Sequence, residues 1–374
     1  MLEFTHFFER RSMNRNFQTL KNIINLFSSN TVLCIGDMIL DEYLSGSACR
    51  LSPEAPVPVV QLNKTKSVLG GVGNVAANLS SLGCSTRIFY PKGNDGDSEI
   101  VEKLLKDNHI VSYPIPVEIP TIKKTRIKAN KQQLCRIDRE EPLHLSRQQE
   151  ARIIHQVTQI LPEVNTVLIS DYNKGFITPN IAQGVIQAAT AQSKRVLVDP
   201  KGTDFMKYKG ATLIKPNLNE LKTAIKHLAP SQSTGIDYVT PTTSEGLQQI
   251  QHYSELLQQT LEIPKIVVTL GEYGMFAMED SATVYSPTVA KAVSDVSGAG
   301  DTSLAVFGAS FISGATLGSI TDLANIASGL VVAKEDTATL DVDELSGALQ
   351  ELFDQETRTI WTPNRNRGKK DPCR

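Results

Sequence analysis

Thr166-Val167-Leu168-Ile169-Ser170-Asp171-Tyr172-Asn173-Lys174-Gly175 decides the fold, because an apolar run of strand length passes at once into a polar loop. Arg195-Val196-Leu197-Val198 before Asp199-Pro200-Lys201-Gly202 repeats the design, as does Ala211-Thr212-Leu213-Ile214 before Lys215-Pro216-Asn217-Leu218-Asn219-Glu220. Uninterrupted apolar strands need cover on both faces, and the helical patterns between them supply it. The expected class is α/β, a mainly parallel central sheet with helices on both faces. Ligands of such sheets bind beyond the carboxyl ends of the strands, where these three polar loops fall.

Thr31-Val32-Leu33-Cys34-Ile35 adds a strand that ends at Gly36-Asp37 and continues to Asp41. Lys265-Ile266-Val267-Val268-Thr269 adds another, followed by Leu270-Gly271-Glu272-Tyr273-Gly274, which reads as a hairpin turn before Met275. Pro216-Asn217 is open to reading as a helix start with Asn217 as its cap. The glycine-rich turn Asp295-Val296-Ser297-Gly298-Ala299-Gly300-Asp301-Thr302 opens into the uncharged run Ser303 to Thr321, read as a buried helix. Free N–H groups and the helix dipole favour an anion there, such as a phosphate. Asp301 at the mouth of that turn is either a cap or a base for a hydroxyl proton.

Three prolines between Leu51 and Leu62 exclude helix and imply an extended segment. With a second extended stretch it forms a small β-lid, drawn from about 44–66 and 113–138, over the ligand end of the sheet. Lys123, Lys124, Arg126, Lys128, Lys131, Arg136 and Arg139 make that second stretch basic, which is a solvated face or a grip on an anion. Gly71-x-Gly73-x-x-Ala76 has dinucleotide spacing, but Ser67-Val68-Leu69 is too short for the preceding strand, so no nicotinamide cofactor is expected. Residues 227–246 read as a long surface loop. Residues 1–30 read as an extension with an amphipathic helix over Phe17 to Phe27, and 351–374 as a tail, frayed from Asn364.

Lys+Arg 38 against Asp+Glu 40 gives a net charge of -2 and no bulk reason for nucleic acid as a partner. Five cysteines without metal-ligand spacing imply reduced thiols and a cytoplasmic protein. The N-terminus lacks the continuous apolar core of a signal peptide, and Ser303 to Thr321 is too rich in small and hydroxyl residues for a membrane span.

Asp-x-x-Gly-Ala-Gly-Asp-Thr at 295–302 resembles the C-terminal signature of the PfkB, or ribokinase-like, sugar kinases, and the resemblance spans roughly 31–350. It implies a ribokinase-like fold, ATP and Mg²⁺ as cofactors, a sugar acceptor and a homodimer formed through the lids. Asp301 would be the base, and Gly298, Ala299 and Gly300 an anion hole. Asp41 would hold sugar hydroxyls, with Gly70, Gly71 and Asn74 as the N-terminal sugar-binding signature and Asp171 beside them. Asn217 and Glu220 would organise magnesium through water. Lys201, Thr269, Gly271, Gly274 and Asn325 would border the nucleotide.

Gly36-Asp37-Met38-Ile39-Leu40-Asp41, Arg50 to Val59, Ser170 to Gly175 and Asp199 to Phe205 are similar to the heptose 7-phosphate kinases of that family. The similarity implies phosphorylation of D-glycero-β-D-manno-heptose 7-phosphate at its anomeric hydroxyl, for ADP-heptose and lipopolysaccharide core synthesis. Lys92, Lys174 and Arg136 are the candidates for its 7-phosphate, and Asn173 stands where a Gly is expected before Lys174. No His-x-Gly-His motif appears, which points to a kinase without a fused nucleotidyltransferase. Another sugar kinase of the family, or a sugar-phosphate sensor that does not turn over, are the alternatives.

Overall fold

Two sheets meet at the carboxyl ends of the strands. The computed structural model describes residues 13–130, 132–290 and 294–361, apart from the side chains of 13–16 and 356–361. In chain order the strands are β1 (Thr31–Gly36), β2 (Met38–Leu51), β3 (Pro58–Gly71), β4 (Ser85–Lys92), β5 (Val111–Pro116), β6 (Ile122–Ala129) and β7 (Gln132–Arg139). There follow β8 (Thr166–Ser170), β9 (Arg195–Asp199), β10 (Leu213–Ile214), β11 (Lys265–Thr269), β12 (Met275–Glu279) and β13 (Ala282–Ser286). The large sheet has the order β13-β12-β11-β10-β9-β8-β1-β4-β5, parallel from β11 to β5, with the hairpin β12–β13 antiparallel at one edge.

Alternation along each buried strand assigns its two faces. Val32 and Cys34 join the core under helices Val72–Ser81, Ala299–Ser310 and Leu317–Val331, whereas Leu33 and Ile35 join the core under helices Arg147–Ile160, Pro179–Ala191, Leu218–Leu228 and Ser244–Leu261. Strand order reverses between β1 and β8, which marks the crevice where an open α/β sheet takes its ligand. Gly36 lies there against the Ser170 carbonyl, where a Cβ has no room.

β3, β2, β6 and β7 form the four-stranded lid. Residues 113–116, expected in it, instead belong to β5, whose register against β4 runs from Arg87 and Val111 to Lys92 and Pro116. The strand read as too short runs over fourteen residues, Pro58–Gly71. Its lysines and polar residues hide it from a hydrophobic pattern because most of its outer length stays exposed.

The run from Ser303 to Thr321 is two helices. Gly314, at φ 66°, takes a left-handed turn, and the Thr316 side chain caps the second helix by accepting from the Ser319 amide. The stretch 227–246 carries short 3-10 turns at Pro230–Gln232 and Ile236–Tyr238, and Ile236 and Val239 are buried.

The helix Met13–Asn25 packs into the core rather than standing apart. Leu20, Ile23, Ile24 and Phe27 are buried, and Phe17 stacks on Phe353 with ring centroids 4.3 Å apart. Each such side chain contributes about 1.5–3 kcal/mol when removed from water. Phe353 lies in the helix Val342–Trp361, so the first turns read as tail are helical too, while Asn364 to Arg374 lies outside the described residues. Cys34, Cys49, Cys84 and Cys135 are free thiols. Among the described residues no helix is long and apolar enough to cross a membrane.

Candidate active site

Gly298 caps the helix Ala299–Ser310 with φ 86°, a left-handed conformation that L side chains adopt at a cost. A Cβ there would also lie 2.9 Å from Asn74 Nδ2. The turn therefore brings the start of this helix against the helix Val72–Ser81, and both ends lock through side chains. Asn74 Nδ2 donates to Asp301 Oδ2 at 2.7 Å, Asn78 Nδ2 donates to the Asn74 carbonyl, and Thr302 Oγ1 donates to Asn78 Oδ1 at 3.0 Å. Tyr172, from the loop after β8, donates its hydroxyl to Asp301 Oδ1 at 2.7 Å.

Asp301 is buried, and both its hydrogen-bond donors are neutral. Burial pushes its carboxyl up to about 7, Asp199 adds to that, and the bonds from Asn74 and Tyr172 with the charge of Lys215 pull the other way. A carboxylate so placed is oriented, ionisable near neutral pH and free to take a proton. The bonding pattern is not that of a helix cap.

The loop carrying Tyr172 is fixed from below by Asp37. Its Oδ2 accepts from the Tyr172 and Lys174 amides at 2.9 and 3.2 Å, and its Oδ1 accepts from the Phe176 amide at 3.1 Å. Burial, with Asp171 nearby, lifts the Asp37 carboxyl to about 6 despite these three bonds. Asn173 adopts φ 57°, the left-handed turn a glycine would take, and asparagine tolerates it.

Asp301 lines a cavity of about 160 Å³. Of the residues singled out in the sequence, Gly298, Gly300, Lys201, Asn217, Glu220 and Thr269 line it too, and Asp171 forms part of its wall. Tyr172, Asp199 and Lys215, with Pro200, complete it and had no assigned role. Lys215 directly follows β10, Asp199 ends β9 and Tyr172 lies two residues beyond β8, and that place at the carboxyl end of an apolar strand is the signal that singles them out. Lys215 is buried, with Nζ 3.1 Å from Asp199 Oδ1, and a Cβ on Gly300 would lie 3.8 Å from the same Nζ. A buried cation thus faces the first turn of the helix.

Asn217 and Glu220 form a capping box: Asn217 Oδ1 accepts from the Glu220 amide and Glu220 Oε2 accepts from the Asn217 amide, both at 2.9 Å. Glu220 Oε1 also pairs with Lys201 at 2.6 Å. Asp171 is satisfied internally, taking Lys207 and Tyr208 on Oδ2 and the Asn173 amide on Oδ1. Gly271 and Gly274 shape the β11–β12 hairpin, and Asn325 donates to Pro287 and Ser286 behind it, so none of the three lines the cavity.

The lid approaches from the side of Asn74. Asp41 sits over Gly70, where a Cβ would collide with its carboxylate, and pairs with Arg126 at 2.5 Å. Gly71 takes φ 58° where β3 hands over to the helix. The three cations read as phosphate ligands have carboxylate partners: Lys92 with Glu102, Lys174 with Glu140, and Arg136 with both oxygens of Asp138. Lys92 is not part of the cavity wall.

The family model described as pfkB family carbohydrate kinase matches residues 29–344. The chain belongs to that family. This pfkB carbohydrate kinase is an ATP-dependent sugar kinase. It is 37% identical over 314 residues to the bifunctional protein HldE of Nitratiruptor sp., covering 84% of this chain and 64% of the relative. Against the bifunctional protein HldE of Desulfatibacillum aliphaticivorans it is 37% identical over 333 residues, covering 88% and 65%. The chain thus spans less than two thirds of these relatives' length. The crystal structure of phosphofructokinase-2 from Escherichia coli in complex with potassium shares its fold at a TM-score of 0.70 and 17% identity, covering 86% of this chain and 99% of the other. A putative ribokinase from Agrobacterium tumefaciens matches at 0.65 and 16%, covering 87% and 99%.

Proposed function

We propose that this pfkB kinase transfers the γ-phosphoryl group of ATP to the anomeric hydroxyl of D-glycero-β-D-manno-heptose 7-phosphate, giving the 1,7-bisphosphate. One observation carries the chemistry: a buried carboxylate, Asp301, held by two neutral donors at a glycine-rich helix start. In the charged form Asp301 accepts the hydroxyl proton as the oxygen attacks phosphorus. Asn74 and Tyr172 hold its two oxygens in place during that transfer. The amides of Gly298 and Gly300, which line the cavity, with the Lys215 ammonium opposite, offer charge stabilisation to the transferred group, which is most of what phosphoryl transfer asks of a protein; the Ala299 amide turns to the Val296 carbonyl at 3.5 Å.

A divalent metal, which we take to be Mg²⁺, would neutralise phosphate charge. No group of three carboxylate, His or Cys ligands that could cage a metal exists among the described residues. The carboxylates of Asp199 and Glu220 and the amide of Asn217, together on the cavity wall, fit as outer partners of an ion held by phosphates and water. Lys201 and Thr269 stand on the same side, for the nucleotide.

The heptose assignment rests on the four stretches similar to heptose 7-phosphate kinases and on the HldE relatives, and it places the chain in ADP-heptose and lipopolysaccharide core synthesis in the cytoplasm. The exposed edge strand β7 supports a homodimer paired through the lids. ATP consumption with Mg²⁺ tests the reading, comparing heptose 7-phosphate, fructose 6-phosphate, ribose and no sugar. Turnover on the heptose phosphate alone is expected. Turnover on another sugar only would discard the substrate, and binding without turnover would discard the role of Asp301.

A further inference from the structure

Two rungs of the lid sheet face the cleft. Cross-strand register places Val68, Asp41, Lys124 and Asp138 in one rung, and Lys66, Tyr43, Arg126 and Arg136 in the next. Side chains in register share a face. Lys66 and Arg126 both lie over the Tyr43 ring, whose hydroxyl meets Thr337, and Thr337 in turn lies beside Gly298. The face therefore looks onto the start of the catalytic helix.

Every other charge in these rungs has a counter-ion within 4 Å. Arg126 takes Asp41, Arg136 takes Asp138, and Lys66 takes Asp336 at 3.6 Å. The pairing is diagonal, so each carboxylate that flanks Lys124 is held by an arginine of the neighbouring rung. Among the described residues the Lys124 side chain, half-buried, has no carboxylate within 4 Å and no hydrogen bond. Burial chiefly holds its ammonium below the usual lysine range; Lys174 and Arg136 push the same way, while Asp138 and Asp41 oppose them. An unpaired, partly desolvated cation beside two more cations is short of an anion.

We infer that Lys124 is the primary ligand of the acceptor's own phosphate, with Arg136 and Lys174 completing the subsite from their carboxylate partners. This rests on the sugar-phosphate kinase reading above. It replaces Lys92, which is paired with Glu102, as the third cation. A phosphate bound at Lys124 lies beside Asp41, so the sugar spans from there to Asp301. The subsite makes Lys124 a specificity residue for phosphorylated over neutral sugars.

Steady-state kinetics of Lys124→Met and Lys124→Arg with heptose 7-phosphate and with dephosphorylated heptose test this, alongside calorimetric binding of heptose 7-phosphate without ATP. Losing one charge-assisted contact should raise KM for the phosphosugar about 10- to 100-fold in Lys124→Met and weaken its binding alike. The KM for ATP and the rate on dephosphorylated heptose should stay at the wild-type level, and Lys124→Arg should recover most of the loss. Unchanged KM in Lys124→Met, or an equal loss on both acceptors, overturns the subsite while leaving the kinase reading intact. A wild-type enzyme that turns over no sugar phosphate overturns both.

Discussion

Asp301 on the floor of the cleft and the carboxylates of its lid are the same kind of group held in opposite ways. In the lid, carboxylates meet cations: Asp41 takes Arg126, Glu42 takes Lys123, and Asp138 takes Arg136. On the floor, Asp171, Asp199 and Glu220 also take lysines, but Asp301 meets an amide and a phenol. A cationic partner stabilises the charged carboxylate and makes it a poor proton acceptor, whereas neutral donors orient it and leave burial to raise its proton affinity. The lid carboxylates are therefore suited to holding and Asp301 to reacting. Lys124 inverts the lid's rule by standing unpaired, and that is why it reads as a binding group.

Substitutions on the floor should change turnover, and those on the lid should change sugar affinity. The largest effect belongs to Asp301→Asn, expected to lower kcat about 10²- to 10⁴-fold with nearly unchanged ATP affinity in equilibrium binding. In the wild type, kcat/KM should climb with pH and level off above about 7, since only the charged carboxylate accepts a proton. Gly298→Ala forces a left-handed alanine against Asn74. Urea unfolding should show a loss of about 1–3 kcal/mol, and kcat should fall with it. An alanine enzyme with wild-type turnover would mean the helix start need not be so placed.

Tyr172→Phe removes the bond that helps hold Asp301 charged. The carboxyl then rises further, so the ascending limb of the pH profile should move to higher pH, with kcat/KM at neutral pH down roughly tenfold. A lower rate with an unmoved limb would leave Tyr172 a packing role only. The smallest effect is expected at Lys92→Met, which breaks an ion pair with Glu102 and should leave the KM of the sugar within about twofold. A large rise there would return Lys92 to the subsite and blur the division between floor and lid.

Much of the floor is legible in the chain because it is local. Gly298 to Asp301 form one turn, and Asn217 with Glu220 form another, so their spacing carries their geometry. Asn217 caps its helix and Gly271 to Gly274 turn the β11–β12 hairpin, so the backbone there follows the structural alternatives to the magnesium and nucleotide roles. Less legible were the partners of each group. Asn74 and Tyr172 lie 227 and 129 residues from Asp301, and nothing local to either announces the contact. The lid was harder still, since β3 has too few buried residues to show a period and β5 looks like lid until it pairs with β4.

The sequence by itself determined the class of sheet and the glycine-rich turn that sets Asp301 in the first turn of a helix. Each follows from hydrophobic period or backbone chemistry within a few residues. Tertiary structure alone decided which charges are spent and which are available. Lys92, Lys124, Arg136 and Lys174 are alike as residues, and only the placement of Glu102, Asp138, Glu140 and Asp41 around them separates the neutralised from the free. Ion pairing acts over a few ångströms in space, and the chain sets that distance only when it folds.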